Sequence, residues 1–182
     1  MGRLLSLPQA LRVRKRLGRR GKKVVFTNGV FDILHVGHTR YLQQARELGD
    51  VLFVGLNSDT SATMLKGQAR PWVPGTERAE LLCALSCVDY VVVFNENTAV
   101  DLVAALQPDV YVKGGDYSPA ASPGSDSPAS GSAVPGDVKP LPEAAAVEKC
   151  GGKIVILPYT PGHSTSILAA RIQQGLNRAG AQ

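Results

Sequence analysis

Short apolar runs alternate with helical patterns along this chain, and that alternation leaves few folds open. The runs are Lys23–Thr27, Val51–Leu56, Tyr90–Phe94, Val110–Lys113 and Lys153–Leu157. Each is continuously apolar and rich in β-branched residues, as strands buried on both faces are. Helical spacings separate them: His38–Leu48 ending at Gly49, Thr76–Cys87, Ala99–Leu106 before Pro108, Pro142–Cys150 and Thr165–Leu176. Asn57-Ser58-Asp59 reads as a helix cap or turn. With right-handed crossovers, this order predicts a doubly wound α/β domain: a five-stranded parallel sheet with helices on both faces.

The chain has 182 residues, which is about one domain, so residues 1–182 are read as a single unit. A content of 44% hydrophobic and 19% charged residues excludes a wholly disordered chain. No apolar run approaches the roughly 18 residues of a membrane span. Cys83, Cys87 and Cys150 are odd in number, which points to free thiols, a reducing compartment and a cytoplasmic location. The one-turn spacing of Cys83 and Cys87 in an apolar pattern favours core packing over metal binding. One stretch breaks the rhythm. Residues 118–142 hold six Pro, six Ser, three Gly and four Ala, and are expected to form a disordered or mobile insertion rather than a domain boundary.

The formal net charge of +5 is unevenly spread. Nine of the 20 Lys and Arg lie in residues 1–23, with no acid before Asp32, so the remainder carries 11 bases against 15 acids. A nucleic-acid-binding arm or an organellar transit peptide would use such charges. The spacing favours a third reading, a basic helix within residues 1–22 that covers the sheet. Ser6 and Gln9 have capping-box spacing, Pro8 suits a first turn, and Ala10, Val13 and Leu17 recur at helical intervals. No nucleic-acid or membrane partner is expected.

Three segments fall beyond the carboxyl ends of strands, where open α/β sheets bind ligands. The first runs Thr27-Asn28-Gly29-Val30-Phe31-Asp32-Ile33-Leu34-His35-Val36-Gly37-His38. Asn28 and Gly29 permit a tight turn whose N–H groups can face phosphate, and Gly37 allows close approach to the backbone. His35 and His38, three apart at a helix start, can share one face with the positive end of the dipole. The second segment is Lys113-Gly114-Gly115-Asp116-Tyr117, a glycine pair with a nearby charge. The third, Gly162-His163-Ser164-Thr165-Ser166, is either a plain N-cap or a phosphate grip.

The first segment resembles the first signature of the nucleotidyltransferase superfamily that includes the cytidylyltransferases and pantetheine-phosphate adenylyltransferase. Its His–x–Gly–His core is also similar to the "HIGH" element of class I aminoacyl-tRNA synthetases. Phe26 to His35, Leu65-Lys66-Gly67 with Arg70-Pro71, and Val112 to Tyr117 together resemble the D-β-D-heptose 1-phosphate adenylyltransferase family. The likeness runs from about Leu7 to Ile172, apart from the Pro/Ser-rich insertion. In many bacteria that domain follows a sugar kinase; the initial Met and helix here look like a stand-alone form. Glycerol-3-phosphate cytidylyltransferases differ in reading Arg-Thr-Glu-Gly-Ile-Ser-Thr before the last helix, where this chain has Tyr159-Thr160-Pro161-Gly162-His163-Ser164-Thr165. They also place an arginine two residues before a Val-Asp pair, where Ser86 stands here.

The resemblance implies a Rossmann-like HxGH nucleotidyltransferase fold and transfer of AMP from ATP to a sugar 1-phosphate. His35 and His38 are then expected at the α- and β-phosphates, and Thr27 to Phe31 and Gly37 in the phosphate cradle. Lys113, Gly114 and Gly115 would hold the nucleotide, and Ser164, Thr165 and Ser166 the outgoing pyrophosphate. Lys66 would bridge the phosphates of both substrates. Arg70 and Asp116 would contact the sugar phosphate, while Asp32 either orients the sugar or caps the turn. Mg²⁺ would accompany ATP, held mainly by phosphate oxygens, with no protein metal ligand assigned. Superfamily members often dimerise, and apolar helix faces are compatible with a homodimer. Two alternatives stay open: a cytidylyl- or adenylyltransferase for another phosphorylated alcohol, and a non-catalytic nucleotide- or nucleic-acid-binding protein.

Overall fold

A computed structural model describes residues 1–115, 117–118, 139–158 and 162–179. Its elements in chain order are β1 (Arg3–Leu5), α1 (Leu7–Arg19), β2 (Val24–Gly29), α2 (Val36–Glu47), β3 (Val51–Asn57), α3 (Asp59–Lys66) and α4 (Gly75–Ala84). There follow β4 (Tyr90–Phe94), α5 (Val100–Leu106), β5 (Val110–Gly114), β6 (Tyr117–Ser118), β7 (Lys139–Pro140), α6 (Ala144–Lys149), β8 (Lys153–Leu157) and α7 (Thr165–Ala179).

The sheet is parallel throughout, but it has six strands, in the order β1-β4-β3-β2-β5-β8. The expected count of five is therefore corrected. The extra strand is β1, three residues long, which extends the β4 edge by pairing Arg3 with Tyr90 and Leu5 with Val92. So short a run carries no periodicity, and residues 1–22 hold a strand as well as the covering helix. The expected helix is present from Leu7, with Gln9 Oε1 accepting the Ser6 N–H at 2.8 Å. It buries Ala10 and packs Leu11, Val13 and Leu17 on the sheet. One of its cations is structural: Arg14 donates to the Gln107 carbonyl at 2.8 Å, at the end of α5, and pairs with Asp109.

Alternation along each strand divides the core in two. Phe26, Phe53 and Tyr111 face one side, under α1, α5 and α6, while Val25, Val54 and Val112 face the other, under α2 and α4. Cys83 belongs to this second core, and all three cysteines are free thiols. The strand order reverses between β2 and β5, which opens a crevice at their carboxyl ends. Residues 119–138 of the expected insertion, and Asp116, lie outside the described residues. They are flanked by the parallel pairing of β6 with β7.

Candidate active site

The crevice between β2 and β5 gathers residues from two of the three expected segments. Lys113, largely buried at the end of β5, donates to the Asn28 side-chain and backbone oxygens at 2.9 and 3.2 Å. Tyr111 donates its hydroxyl to Asn28 Oδ1 at 2.6 Å. On the next strand position, Thr27 shares a 2.7 Å hydrogen bond with Tyr41, whose hydroxyl donates to the Val112 carbonyl. The switch point is thus tied across by side chains of β2, β5 and α2. Gly114 closes β5 and Gly115 is exposed in the turn that follows.

Past Gly29 the chain turns sharply. Phe31 takes a left-handed conformation, φ 45°, unusual for a residue with a side chain, and its ring is buried. Such strain persists only where surroundings impose it, and it clusters at ligand-binding turns. Here the Val30 carbonyl accepts from Arg78 Nη1 at 2.6 Å, and the Phe31 ring meets His38 edge-on, 5.3 Å between centroids. Helix α2 then starts with His35 as its N-cap. The His35 and His38 rings stack, 3.8 Å between centroids and 21° between planes. Gly37 makes this packing possible: a Cβ there would lie 2.9 Å from the His35 ring and 3.1 Å from His163 Cβ.

Burial pushes the His38 imidazole down from 6.5 to about 4, helped by neighbouring His35 and opposed by a backbone hydrogen bond at Ile33. His35 is lowered too, by burial first and then by His163. The Nδ1 atoms of both rings are buried without a hydrogen-bond partner among the described residues. Leaving such atoms unpaired costs about 1–3 kcal/mol each, which an arriving ligand could offset. The linkage has a definite sign. Between pH 6.5 and about 4 the unfolded chain binds more protons at His38 than the folded one, so stability falls on acidification. The melting temperature should therefore drop more steeply across that window in the native protein than in His38→Gln. Parallel pH curves would show that His38 is not held neutral by the fold.

The third segment closes over His35. A cavity of about 50 Å³ lies between His35 and the start of α7, lined also by His163, Ser164 and Arg171. Ser164 Oγ accepts the Ile167 N–H at 3.2 Å, so it does cap the helix. Thr165 opens α7 half-buried, and Ser166 is exposed. His163 lies within the expected third segment without an assigned role, and Arg171 is a lining residue that the sequence reading did not name. Arg171 lies seven residues after Ser164, two helical turns along one face, which is a readable signal.

Asp32 and Arg70 are brought together, 2.7 Å apart, and Asp32 is almost fully buried. Its other oxygen accepts the N–H groups of Trp72 and Val73 at 2.8 and 2.9 Å. The carboxylate thus clamps the loop between α3 and α4 against the turn after β2. Thr63 donates its hydroxyl to the Arg70 carbonyl, fixing that loop to α3. Lys66 stands exposed at the end of α3, ahead of Gly67. Arg78, also missed, is fully buried beneath this loop.

Comparison with known proteins gives the family and the fold. A family model described as cytidylyltransferase-like matches residues 26–171. The bifunctional protein HldE of Syntrophotalea carbinolica is 47% identical over 92% of this chain, which spans 30% of that relative's length. The HldE protein of Nitratiruptor sp. is 56% identical over 63% of this chain and 25% of its own. Among solved structures, a lipopolysaccharide core biosynthesis protein from Thermoplasma volcanium has a TM-score of 0.53 at 26% identity, covering 77% of this chain and 98% of that one. A pantoate–β-alanine ligase from Francisella tularensis shares the fold at 13% identity, with a TM-score of 0.56 over 91% of this chain and 69% of its own. With the histidine pair at the switch point and a family match from β2 into α7, this chain belongs to the cytidylyltransferase-like family of nucleotidyltransferases.

Proposed function

We propose that the chain transfers AMP from ATP to D-glycero-β-D-manno-heptose 1-phosphate, giving ADP-heptose and pyrophosphate for lipopolysaccharide or related glycan precursors. The observation that carries nucleotidyl transfer is the stacked His35–His38 pair on the first turn of α2, beside the switch-point crevice. The heptose acceptor is supported by the motifs from Phe26 to His35, Leu65 to Pro71 and Val112 to Tyr117, and by likeness to the HldE proteins.

The reaction is in-line attack of a sugar-phosphate oxygen on the α-phosphorus of ATP; the P–O bond to pyrophosphate breaks as the new one forms. A phosphate monoester has a second pKa of about 6, so the nucleophile is already an anion and needs no general base. Catalysis then rests on positioning and on stabilising charge. His35 and His38 donate to the α- and β-phosphates, and a bound polyphosphate returns their pKa values towards the ordinary range. The turn from Thr27 to Phe31, with Gly37, cradles the phosphates. Lys113, Gly114 and Gly115 hold the nucleotide. Ser164, Thr165 and Ser166 receive pyrophosphate, and Lys66 and Arg70 neutralise the acceptor phosphate. Asp32 acts on the acceptor side through the loop it clamps, and Asp116 is retained as a sugar contact.

Mg²⁺ enters with ATP. Among the described residues no cluster of three or more His, Cys, Asp and Glu could hold a metal, and Asp32 is already engaged by Arg70. In this reading the ion travels with ATP, held mainly by phosphate oxygens. Among the described residues, no helix is long and apolar enough to cross a membrane. A cytoplasmic location and a homodimer belong to the same proposal.

Pyrophosphate release decides between substrates. ATP with heptose 1-phosphate should outpace CTP, and glycerol 3-phosphate should give background rates with either nucleotide. Preferential use of CTP, or of glycerol 3-phosphate, would overturn the assignment.

A further inference from the structure

The loop between α3 and α4 carries the chain's single tryptophan, Trp72, in an unusual setting. An indole this large is normally mostly buried, yet Trp72 is 48% exposed. It is nevertheless held firmly. The Arg70 guanidinium lies over the ring, 3.3 Å from its centroid, so that it covers one face, and Arg70 is itself anchored to buried Asp32 at 2.7 Å. The Trp72 N–H also ends on Asp32, at 2.8 Å. Two of its attachments thus lead to one carboxylate, a residue after Phe31 in the turn that packs on His38. Fixing an exposed aromatic ring in advance pre-orders an apolar surface and reduces the entropy lost on binding.

We propose that Trp72 is the platform on which the ring of the acceptor sugar rests. The topology gives the direction. Lys113 and the glycines after it lie on the β5 side of β2, whereas the loop bearing Trp72 joins α3 to α4 on the β3 side. The histidine pair on the first turn of α2 stands at the head of β2, between these two sides. With the nucleotide on the β5 side and its phosphates at the histidines, the acceptor approaches from the β3 side. A pyranose has a C–H-lined face that packs on an indole, while Arg70 and Lys66 supply positive charge for its phosphate. Trp72 therefore selects for a cyclic acceptor over a short open-chain alcohol phosphate. This inference rests on the acceptor being a sugar phosphate.

Because Trp72 is the only tryptophan, emission of the intact protein reports on this one site. Heptose 1-phosphate should change the emission saturably, while inorganic phosphate, glycerol 3-phosphate and ATP alone should not. Calorimetry of the same titration measures binding independently of the fluorophore. In pyrophosphate-release assays, Trp72→Ala should raise KM for the sugar phosphate roughly tenfold, about 1.4 kcal/mol, with KM for ATP and kcat little changed. Trp72→Phe should recover most of the loss. Calorimetric binding with silent emission and an unaltered KM in Trp72→Ala would overturn the platform while leaving the heptose reading intact. An emission response to ATP alone would place the ring on the nucleotide and overturn it as well. Turnover of glycerol 3-phosphate with no detectable sugar-phosphate binding would sink the acceptor reading and the platform with it.

Discussion

Alanine at His38 is expected to lower kcat at least 100-fold, about 2.7 kcal/mol of transition-state stabilisation, in a protein that still folds. The expectation follows from where the ring sits. His38 lies on the first turn of α2, stacked on His35 and edge-on to Phe31, with a buried ring nitrogen that lacks a partner among the described residues. It is also kept neutral at pH 7 by burial and by His35. A preorganised donor in a water-poor site is worth far more to developing charge than the same group in solvent. KM for ATP should move much less than kcat if the interaction strengthens mainly as pyrophosphate departs. His38→Gln, which keeps a donor of different reach, should fall between the two. A folded His38→Ala protein with near-native turnover would remove this residue from the mechanism.

The parts of the site that could be read from sequence are those built from contiguous residues. The turn after β2, the His35–His38 spacing and the hydroxyl-rich start of α7 are each local, and each lies at a strand end or helix start. The helix cap at Ser58 is of the same kind, with its Oγ accepting the Ser61 N–H. What failed to show was non-local. Three residues of β1 have no period to detect and gain meaning only beside Tyr90–Val92. The acidic member of the loop clamp, Asp32, left two roles open because its partners, Arg70, Trp72 and Val73, come from the loop after α3. Lys113 and Asn28, assigned to separate segments, share a hydrogen bond only because the strand order reverses between β2 and β5. Arg78 is the strongest case. In sequence it resembles any charge on an amphipathic helix, and its burial follows from three carbonyls and a carboxylate that converge in space.

Those four acceptors make the loss of Arg78 costly to stability. It donates from Nε to the Val73 carbonyl at 2.9 Å and from Nη1 to the Val30 and Asn57 carbonyls at 2.6 and 3.0 Å. Its Nη2 pairs with Asp59 Oδ1 at 2.6 Å. Arg78→Met preserves much of the side chain's length but leaves three carbonyls without this donor. Asp59 is 54% exposed, so its charge returns to water and contributes little to the cost. The carbonyls decide the magnitude. At about 1 kcal/mol or more for each stranded group, the loss should be roughly 3–5 kcal/mol. For a chain of this size that corresponds to a fall in Tm of roughly 6–20 °C. Arg78→Lys should fall in between, since one ammonium cannot reach all four acceptors in the fork geometry of a guanidinium. A thermal-melt series gives the readout, and an Arg78→Met Tm within about 2 °C of native would refute the argument. Activity of the surviving folded fraction gives a second one. Val30 precedes strained Phe31, so releasing its carbonyl should relax the turn that positions His38 and lower kcat even below the melting transition.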